Sequence, residues 1–451
     1  MNAPKQVVRH GTDIKPAIAL VGRPNVGKST LFNRLTSSHD ALVHDQPGVT
    51  RDRLYGIGCH RDREFLVVDT GGLRHDPSPL QKLVDSQVQH VLSECAVIVF
   101  VTDARDGLNV GDHEIGARLR KQQVPVFVAV NKSEGRDADI VTAEFHDLGL
   151  GAPYGISAKR GSGIGVLFDK VIAALPAPDS AAADSEARRV AVLGRPNVGK
   201  STLINRMVRT DRVVVSDQPG TTRDSVRIAY HRDGIDYELI DTAGIRRRSR
   251  VQAGIERFSV VRTLQAVDAA EVVIMVLDAQ SGVEDQDARL AGLANQSGRS
   301  IVVAVNKWDL LSDRRRSEVR RQLQRKLPFL VSSEPVFISA LHGSGLGDLF
   351  VAVDRAYVSA MVSMGTGLLN RRLQKAVAAV APPTVSGQPV KLKFAHQGGK
   401  NPPLIVIHGN RVASIPTSYR RYLANYFRDA YDLFGTNVKI ILKRGDNPYR
   451  S

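Results

Sequence analysis

The sequence predicts an α/β protein: two tandem copies of a doubly wound domain with a mainly parallel sheet, followed by a small α+β domain. Three observations predict it. The ten-residue string GRPNVGKSTL occurs at Gly22 and again at Gly194, an offset of 172. Within each copy, short apolar, β-branched runs alternate with helix-length segments. After about residue 352 that alternation gives way to helix, strand, strand, helix, strand.

Residues 1–15 lack the apolar core that a signal peptide needs and read as an N-terminal tail. The first copy, residues 16–174, carries the strand runs AIALVG, REFLVVDT, AVIVFVTD and VPVFVAVNK. Continuous apolar runs of this kind suit strands covered on both faces by helices. Residues 175–188, LPAPDSAAADSEAR, have the Ala, Pro, Ser and acid content of a flexible linker. The second copy, residues 189–351, repeats the pattern with RVAVLG, DYELIDT, EVVIMVLD and SIVVAVNK. A period this long marks a duplicated domain, because solenoid repeats run about 20–50 residues. The last unit, residues 352–451, runs from the helical LLNRRLQKAVAAV through KLKFAH and PLIVIHG to the helix PTSYRRYLANYFRDAYDLFG and the strand VKIILKR.

Composition narrows the class. The 451 residues are 42% hydrophobic and 24% charged, as in a globular chain. The longest apolar runs fall far short of a membrane span, so no membrane role is expected. Cys59 and Cys95 are the only cysteines, which fits a reducing cytoplasm. The twelve His show no metal-ligand spacing. The net charge of +16 favours a polyanionic partner, and the last hundred residues hold 15 Lys and Arg against 4 Asp.

Further strings keep the repeat. DQPGVTRD at Asp45 answers DQPGTTRD at Asp217, and DTGG at Asp69 answers DTAG at Asp241. NKSE at Asn131 answers NKWD at Asn306, and SAK at Ser157 answers SAL at Ser339. A G-x-x-x-x-G-K-S loop between a strand and a helix turns backbone N–H groups toward phosphate oxygens. This assigns Gly22, Arg23, Pro24, Asn25, Val26, Gly27, Lys28, Ser29 and Thr30 to a nucleotide. Gly194, Arg195, Pro196, Asn197, Val198, Gly199, Lys200, Ser201 and Thr202 repeat the assignment. Lys28 and Lys200 would reach the β- and γ-phosphates, and Ser29 and Ser201 would ligate Mg²⁺. Asp69 and Asp241 could hold Mg²⁺ through water, with Thr70, Gly71, Thr242 and Ala243 beside them. Gly72 and Gly244 could donate a backbone N–H to the γ-phosphate.

The base follows from the later strings. The Asp309 carboxylate can accept from guanine N1–H and the exocyclic amine together, a donor pair that adenine lacks. Asn306 and Lys307 brace that loop, as Asn131 and Lys132 do in the first copy. Ser157, Ala158 and Lys159, like Ser339, Ala340 and Leu341, would offer a backbone N–H to guanine O6. Together the strings imply GTP, with GDP as product.

In tandem, with a basic α+β unit behind them, these motifs resemble the bacterial double-domain GTPase family Der (EngA), in the TrmE-Era-EngA-like group. The resemblance covers nearly the whole chain apart from the tail. It implies two P-loop GTPase domains and a KH-like third domain, and a slow GTPase, stimulated by K⁺. As partners it implies rRNA and the large ribosomal subunit, whose assembly the family serves. A cytoplasmic monomer is expected. By the same resemblance Thr50 and Thr222 are switch residues that ligate Mg²⁺ with GTP bound, although Thr is also tolerated after Pro-Gly. Asn25 and Asn197 would each hold a K⁺ near the phosphates, although Asn also suits the backbone of such a loop. Expected catalytic residues are therefore Lys28, Thr50, Gly72, Lys200, Thr222 and Gly244. Leu73 and Ile245 stand where other small GTPases place a water-orienting Gln.

One departure stands out. Glu134 occupies the position of the base-reading Asp, and its extra methylene implies that the first loop retreats to keep both hydrogen bonds, with weaker selectivity there. Arg246, Arg247, Arg248 and Arg250 form a basic cluster directly after DTAG, and residues 313–327 read as a basic surface helix. Of Tyr419, Tyr422, Tyr426 and Phe427, most are read as packing. With no GxxG loop between its helices, the third domain is expected to recognise shape and phosphate through Lys391, Lys393, Lys400, Lys443 and Arg444. The alternative reading is a general RNA-binding GTPase whose first domain is mainly regulatory.

Overall fold

A computed structural model describes residues 14–40, 55–70, 91–177, 187–210, 226–241, 260–327, 333–385 and 388–445. The first domain contains β1 (Ala17–Val21), α1 (Lys28–Asp40), β2 (Tyr55–His60), β3 (Arg63–Asp69), β4 (Val97–Asp103) and α2 (Val110–Leu119). It continues with β5 (Val126–Asn131), α3 (Ala138–Thr142), β6 (Tyr154–Gly155) and α4 (Ile164–Ala173). Its six strands lie in the order β2-β3-β1-β4-β5-β6, and only β2 runs antiparallel. Every residue of β1 and β4 is buried, so apolar side chains are needed on both faces.

The second domain repeats this with β7 (Arg188–Leu193), α5 (Lys200–Thr210), β8 (Val226–Arg232), β9 (Ile235–Asp241), α6 (Val260–Ala269) and β10 (Val272–Asp278). After these come α7 (Asp285–Gln296), β11 (Ser300–Asn306), α8 (Asp313–Lys326), β12 (Val336–Phe337) and α9 (Leu346–Ala360). The strand order β8-β9-β7-β10-β11-β12 matches the first sheet position for position. The expected boundary between residues 351 and 352 falls inside α9. Ala352, Val353 and Ala356 of that helix are buried in the second domain's core, so the helix cannot be divided there. Leu175 likewise packs in the first domain's core, and Arg188 opens β7, so the expected linker is trimmed at both ends.

The last unit has α10 (Thr366–Ala379), the short pair β13 (Thr384–Val385) and β14 (Gln388–Pro389), then β15 (Leu392–Gly399), β16 (Leu404–Gly409), α11 (Thr417–Ala430) and β17 (Lys439–Arg444). Its main sheet, β15-β16-β17, pairs antiparallel and then parallel. Leu369, Leu373, Ala376, Leu423 and Phe427 of the two helices bury against Ala395, Ile405, Ile407 and Ile440 of one sheet face. Asn370 pins α10 to the edge strand by bonding both the N–H and the carbonyl of Ala395 at 2.8 Å. The Tyr residues of α11 do pack. The Tyr419 and Tyr422 hydroxyls donate to the carbonyls of Val380 (2.7 Å) and Ala376 (2.8 Å), tying α11 to the end of α10.

The units share surfaces. Phe434 of the last unit sits in the second domain's core, and the Ile301 N–H donates to the Gly435 carbonyl at 2.7 Å. The first domain meets the second where residues 91–95 and Lys15 face α6. Residues 91–94 are helical, and Val91, Leu92 and Cys95 pack in one cluster with Val261 and Leu264 of α6. Arg262 pairs with Glu94 at 3.2 Å. Lys15, almost fully buried, contacts Glu64 at 3.3 Å and bonds Asp268 of α6. Burial alone would raise the Asp268 carboxyl, but Lys15 and Arg299 hold it below the usual range.

Candidate nucleotide sites

Each G-x-x-x-x-G-K-S loop joins the end of a buried strand to a helix that begins at its Lys, so first-turn N–H groups face the loop. Lys28 Nζ donates to the carbonyls of Gly22 (2.9 Å) and Arg23 (2.6 Å). Lys200 does the same to Gly194 (2.9 Å) and Arg195 (2.7 Å). These contacts hold each Lys at its loop. Gly27 and Gly199 have φ of 96° and 100°, and a Cβ on either would stand 2.3 Å from the Nδ2 of Asn131 or Asn306. Glycine is required there by backbone and by space together.

Those two Asn explain how three motifs form one site. Asn131 Nδ2 donates to the Val26 carbonyl, and its Oδ1 accepts from the Ala158 N–H, both at 2.8 Å. Asn306 makes the same pair to Val198 (2.8 Å) and Ala340 (2.9 Å). Each amide is a strut between the phosphate loop and the SAx loop. Lys132 and Lys307 run alongside, donating to the carbonyls of Asn25 (3.0 Å) and Asn197 (3.1 Å). Lys132 also pairs with Asp103, and Lys307 with Asp278. Both Lys have φ of 65°, so the two loops have the same backbone turn.

Ser29 Oγ donates to Asp69 Oδ2 at 3.1 Å, which brings two hard oxygen ligands together at the mouth of the first loop. Asp69 ends β3 beside Leu20, and Asp241 ends β9 beside Val192, the same register in both sheets. Thr70 is tied back to the Leu20 carbonyl at 2.8 Å. Asn25 and Asn197 are exposed, with φ of 66° and 64°, a left-handed conformation that Asn tolerates. Pro24, Thr30, Pro196, Ser201 and Thr202 lie on the same loops and first turns. Thr50, Gly71, Gly72, Thr222, Thr242, Ala243 and Gly244 lie outside the described residues, as do Leu73, Ile245 and the Arg cluster at 246–250.

The base loops differ. Asp309 is 28% exposed, with His342 Nε2 at 3.7 Å. Glu134 is 12% exposed and accepts from Arg105 at 2.8 Å. The Asn struts and Lys turns are alike in both copies, but the residues after them differ: Trp308–Leu310 form a 3₁₀ turn, whereas Glu134 stands in a turn closed by Gly135 at φ of 79°. The Ser157 hydroxyl, the local backbone N–H and Arg105 hold the Glu134 carboxyl below its usual range. In the second copy, Trp308 stacks on Phe337 with ring centroids 4.1 Å apart and carries Arg316 and Arg320 over its ring, so part of α8 is a lid on that aromatic.

Sequence reasoning missed the ion pairs of the sites, among them one made by the Arg of each phosphate loop. Arg23 Nε bonds Asp112, and Arg195 Nε bonds Asp287, both at 2.9 Å, with each Asp fully buried. Burial pushes the Asp287 carboxyl above its usual range in spite of Arg195. The signal was present, because Asp103 and Asp112 recur 175 residues later as Asp278 and Asp287.

A parallel doubly wound sheet with a G-x-x-x-x-G-K-S loop at a strand end, strutted to NKx and SAx loops and present twice, defines a tandem P-loop nucleotide-binding protein. The family described as "50S ribosome-binding GTPase" matches residues 17–132 and 189–307. The one described as "KH-domain-like of EngA bacterial GTPase enzymes, C-terminal" matches residues 364–443. The chain is 53% identical over 437 residues to GTPase Der of Thioalkalivibrio sulfidiphilus, covering 96% of this chain and 94% of that one. It is 51% identical over 435 residues to GTPase Der of Nitrosococcus oceani, covering 96% and 94%. It is 52% identical over 435 residues to GTPase Der of Halorhodospira halophila, covering 96% and 92%. The chain belongs to the GTPase Der (EngA) family. It is a GTPase that converts GTP to GDP and phosphate, with two GTPase domains and a KH-like domain. Among the described residues, no helix is long and apolar enough to cross a membrane.

Proposed function

We propose that the chain is a GTP-driven switch that binds rRNA on a precursor of the large ribosomal subunit and assists its assembly. The main support is the union in one chain of two GTPase domains, of a family described as 50S ribosome-binding, with a basic KH-like domain. Lys391, Lys393, Lys400, Lys443 and Arg444 are exposed on that domain, as phosphate contacts must be.

In this reading Lys28 and Lys200 neutralise the β- and γ-phosphates, and the first-turn N–H groups cradle them. Ser29 and Asp69 fit Mg²⁺ because their oxygens already converge, and Ser201, Asp241, Thr50 and Thr222 serve in the same way. Bound Mg²⁺ supplies positive charge between the β- and γ-phosphate oxygens. Asn25 and Asn197 fit K⁺ as one neutral oxygen donor each, and their left-handed backbone is a further reason for Asn. Basal hydrolysis is slow and K⁺-stimulated, since neither Leu73 nor Ile245 can orient water. The working protein is a cytoplasmic monomer. Contact between α6 and residues 91–95 supports a switch in which each nucleotide biases the other.

The test is co-sedimentation of the full chain with separated ribosomal subunits at fixed salt in K⁺ buffer, with GDP or a non-hydrolysable GTP analogue. Selective binding to the large subunit with the analogue is the expected result. Equal binding to both subunits, whatever the nucleotide, refutes the ribosome-specific role and leaves a general RNA-binding GTPase.

A further inference from the structure

The two base loops carry different carboxylates on the same frame, and a second difference accompanies the first. β4 ends in Asp103-Ala104-Arg105 and β10 in Asp278-Ala279-Gln280. In both, the Asp side chain accepts the N–H two residues on at 2.9 Å, so Arg105 and Gln280 occupy one structural position. Where the base loop has Glu134 this position is Arg, and where it has Asp309 it is Gln. The Arg105 guanidinium donates to Glu134 Oε1 at 2.8 Å. Glu134 Oε2 is turned into the protein and makes no hydrogen bond of ordinary geometry there.

The extra methylene of Glu lengthens the stem by one bond, and both loops leave their sheet through a Lys with φ of 65°. An extended Glu134 would overshoot the edge of a base seated as in the second site. The salt bridge ties the carboxylate to the residue two positions beyond the end of β4. We infer that Arg105 is a positioning residue that sets the guanine selectivity of the first site, holding the Glu134 carboxylate where a shorter Asp would stand. This deepens the proposed role of Glu134 as the base-reading carboxylate and rests on it. Arg105 is 60% exposed, and a planar fork restrained at one oxygen keeps its hold where a single flexible cation would not.

The experiment uses the full chain with the second site silenced by Lys200→Ala, and measures GDP, IDP and ADP affinities at the first site. IDP lacks the exocyclic amine, so it separates reading of N1–H from reading of the amine. Arg105→Gln is expected to lower the GDP-over-ADP ratio about tenfold or more. In a Glu134→Asp background the same change is expected to move the ratio less than about threefold, because Asp with Gln is the pair of the second site. Arg105→Lys should recover only part of the ratio. If Arg105→Gln leaves the ratio unchanged, lowers GDP and ADP affinity alike, or acts equally in both backgrounds, the inference is overturned. Glu134→Ala separates this from failure of the underlying reading: a ratio unchanged in that variant overturns the base-reading role itself. A ratio that collapses there while Arg105→Gln is silent overturns the role of Arg105 alone.

Discussion

Replacing Asn306 with Ala tests whether the second site is held as one unit. Its side chain is 3% exposed, and its two hydrogen bonds to Val198 and Ala340 are 2.8 and 2.9 Å long. Truncation leaves one buried carbonyl and one buried N–H without partners, each costing roughly 1–3 kcal/mol. Water entering the gap recovers part of this. With about 2 kcal/mol transmitted to the ligand, nucleotide affinity at the second site falls about thirtyfold. The full chain is titrated with a fluorescent guanine nucleotide, whose two binding phases report the two sites. One phase should weaken while the other stays within about threefold. Asn131→Ala should give the mirror result. The reasoning is refuted if Asn306→Ala leaves both phases unchanged, because the phosphate and SAL loops would then hold their places without the strut.

Gly27→Ala places a Cβ against Asn131 at φ of 96°; strain of about 1–3 kcal/mol should weaken the first site about tenfold, whereas Gly165→Ala, on open helix surface, should be silent in the same titration. Ser29→Ala should leave only one site whose GTP affinity falls on adding EDTA, against two in the parent; two remaining Mg²⁺-sensitive sites would exclude Ser29 as a ligand. Lys15→Met removes the cation that bridges Glu64 and buried Asp268; a loss on the order of 3 kcal/mol should appear as a lower thermal midpoint, and an unchanged midpoint refutes the interface. His396 and His408 stack 5.2 Å apart near Lys443, and burial first, then neighbouring charge, holds both imidazoles below the usual range. The unfolded chain therefore binds their protons first, so stability is full above about pH 6.5 and is lost on acidification, and His408→Phe should flatten that slope in thermal melts.

Both sheets and the placing of each motif were legible because continuous β-branched runs and exact repetition report buried parallel strands directly. The duplication implies one strand order for both sheets, and the two sheets share it. What the sequence hid were contacts whose partners lie far apart in the chain. Nothing local to GRPNVGKS announces that Arg23 reaches Asp112, or that Gly27 must be Gly because Asn131 passes beside it. The boundary at residue 352 was misjudged because α9 has one amphipathic pattern throughout, and only its packing shows that it belongs to the second core.

The repetition of the loop can now be put in physical terms. The ten-residue strings are identical and their Lys, Asn and Gly contacts agree within a few tenths of an ångström, so the phosphate loops alone do not distinguish the two sites. Differences enter through neighbours: Arg105 and Glu134 in one copy, Gln280 and Asp309 in the other. Communication needs a separate element, and a ligand shifts an equilibrium only through contacts that differ between states. The segments after DTGG and DTAG lead into the two surfaces that meet around Leu92, Val261 and Leu264. The Lys15–Asp268 contact lies on α6 as well. Two similar engines with one shared seam can occupy four nucleotide combinations, and a single domain cannot.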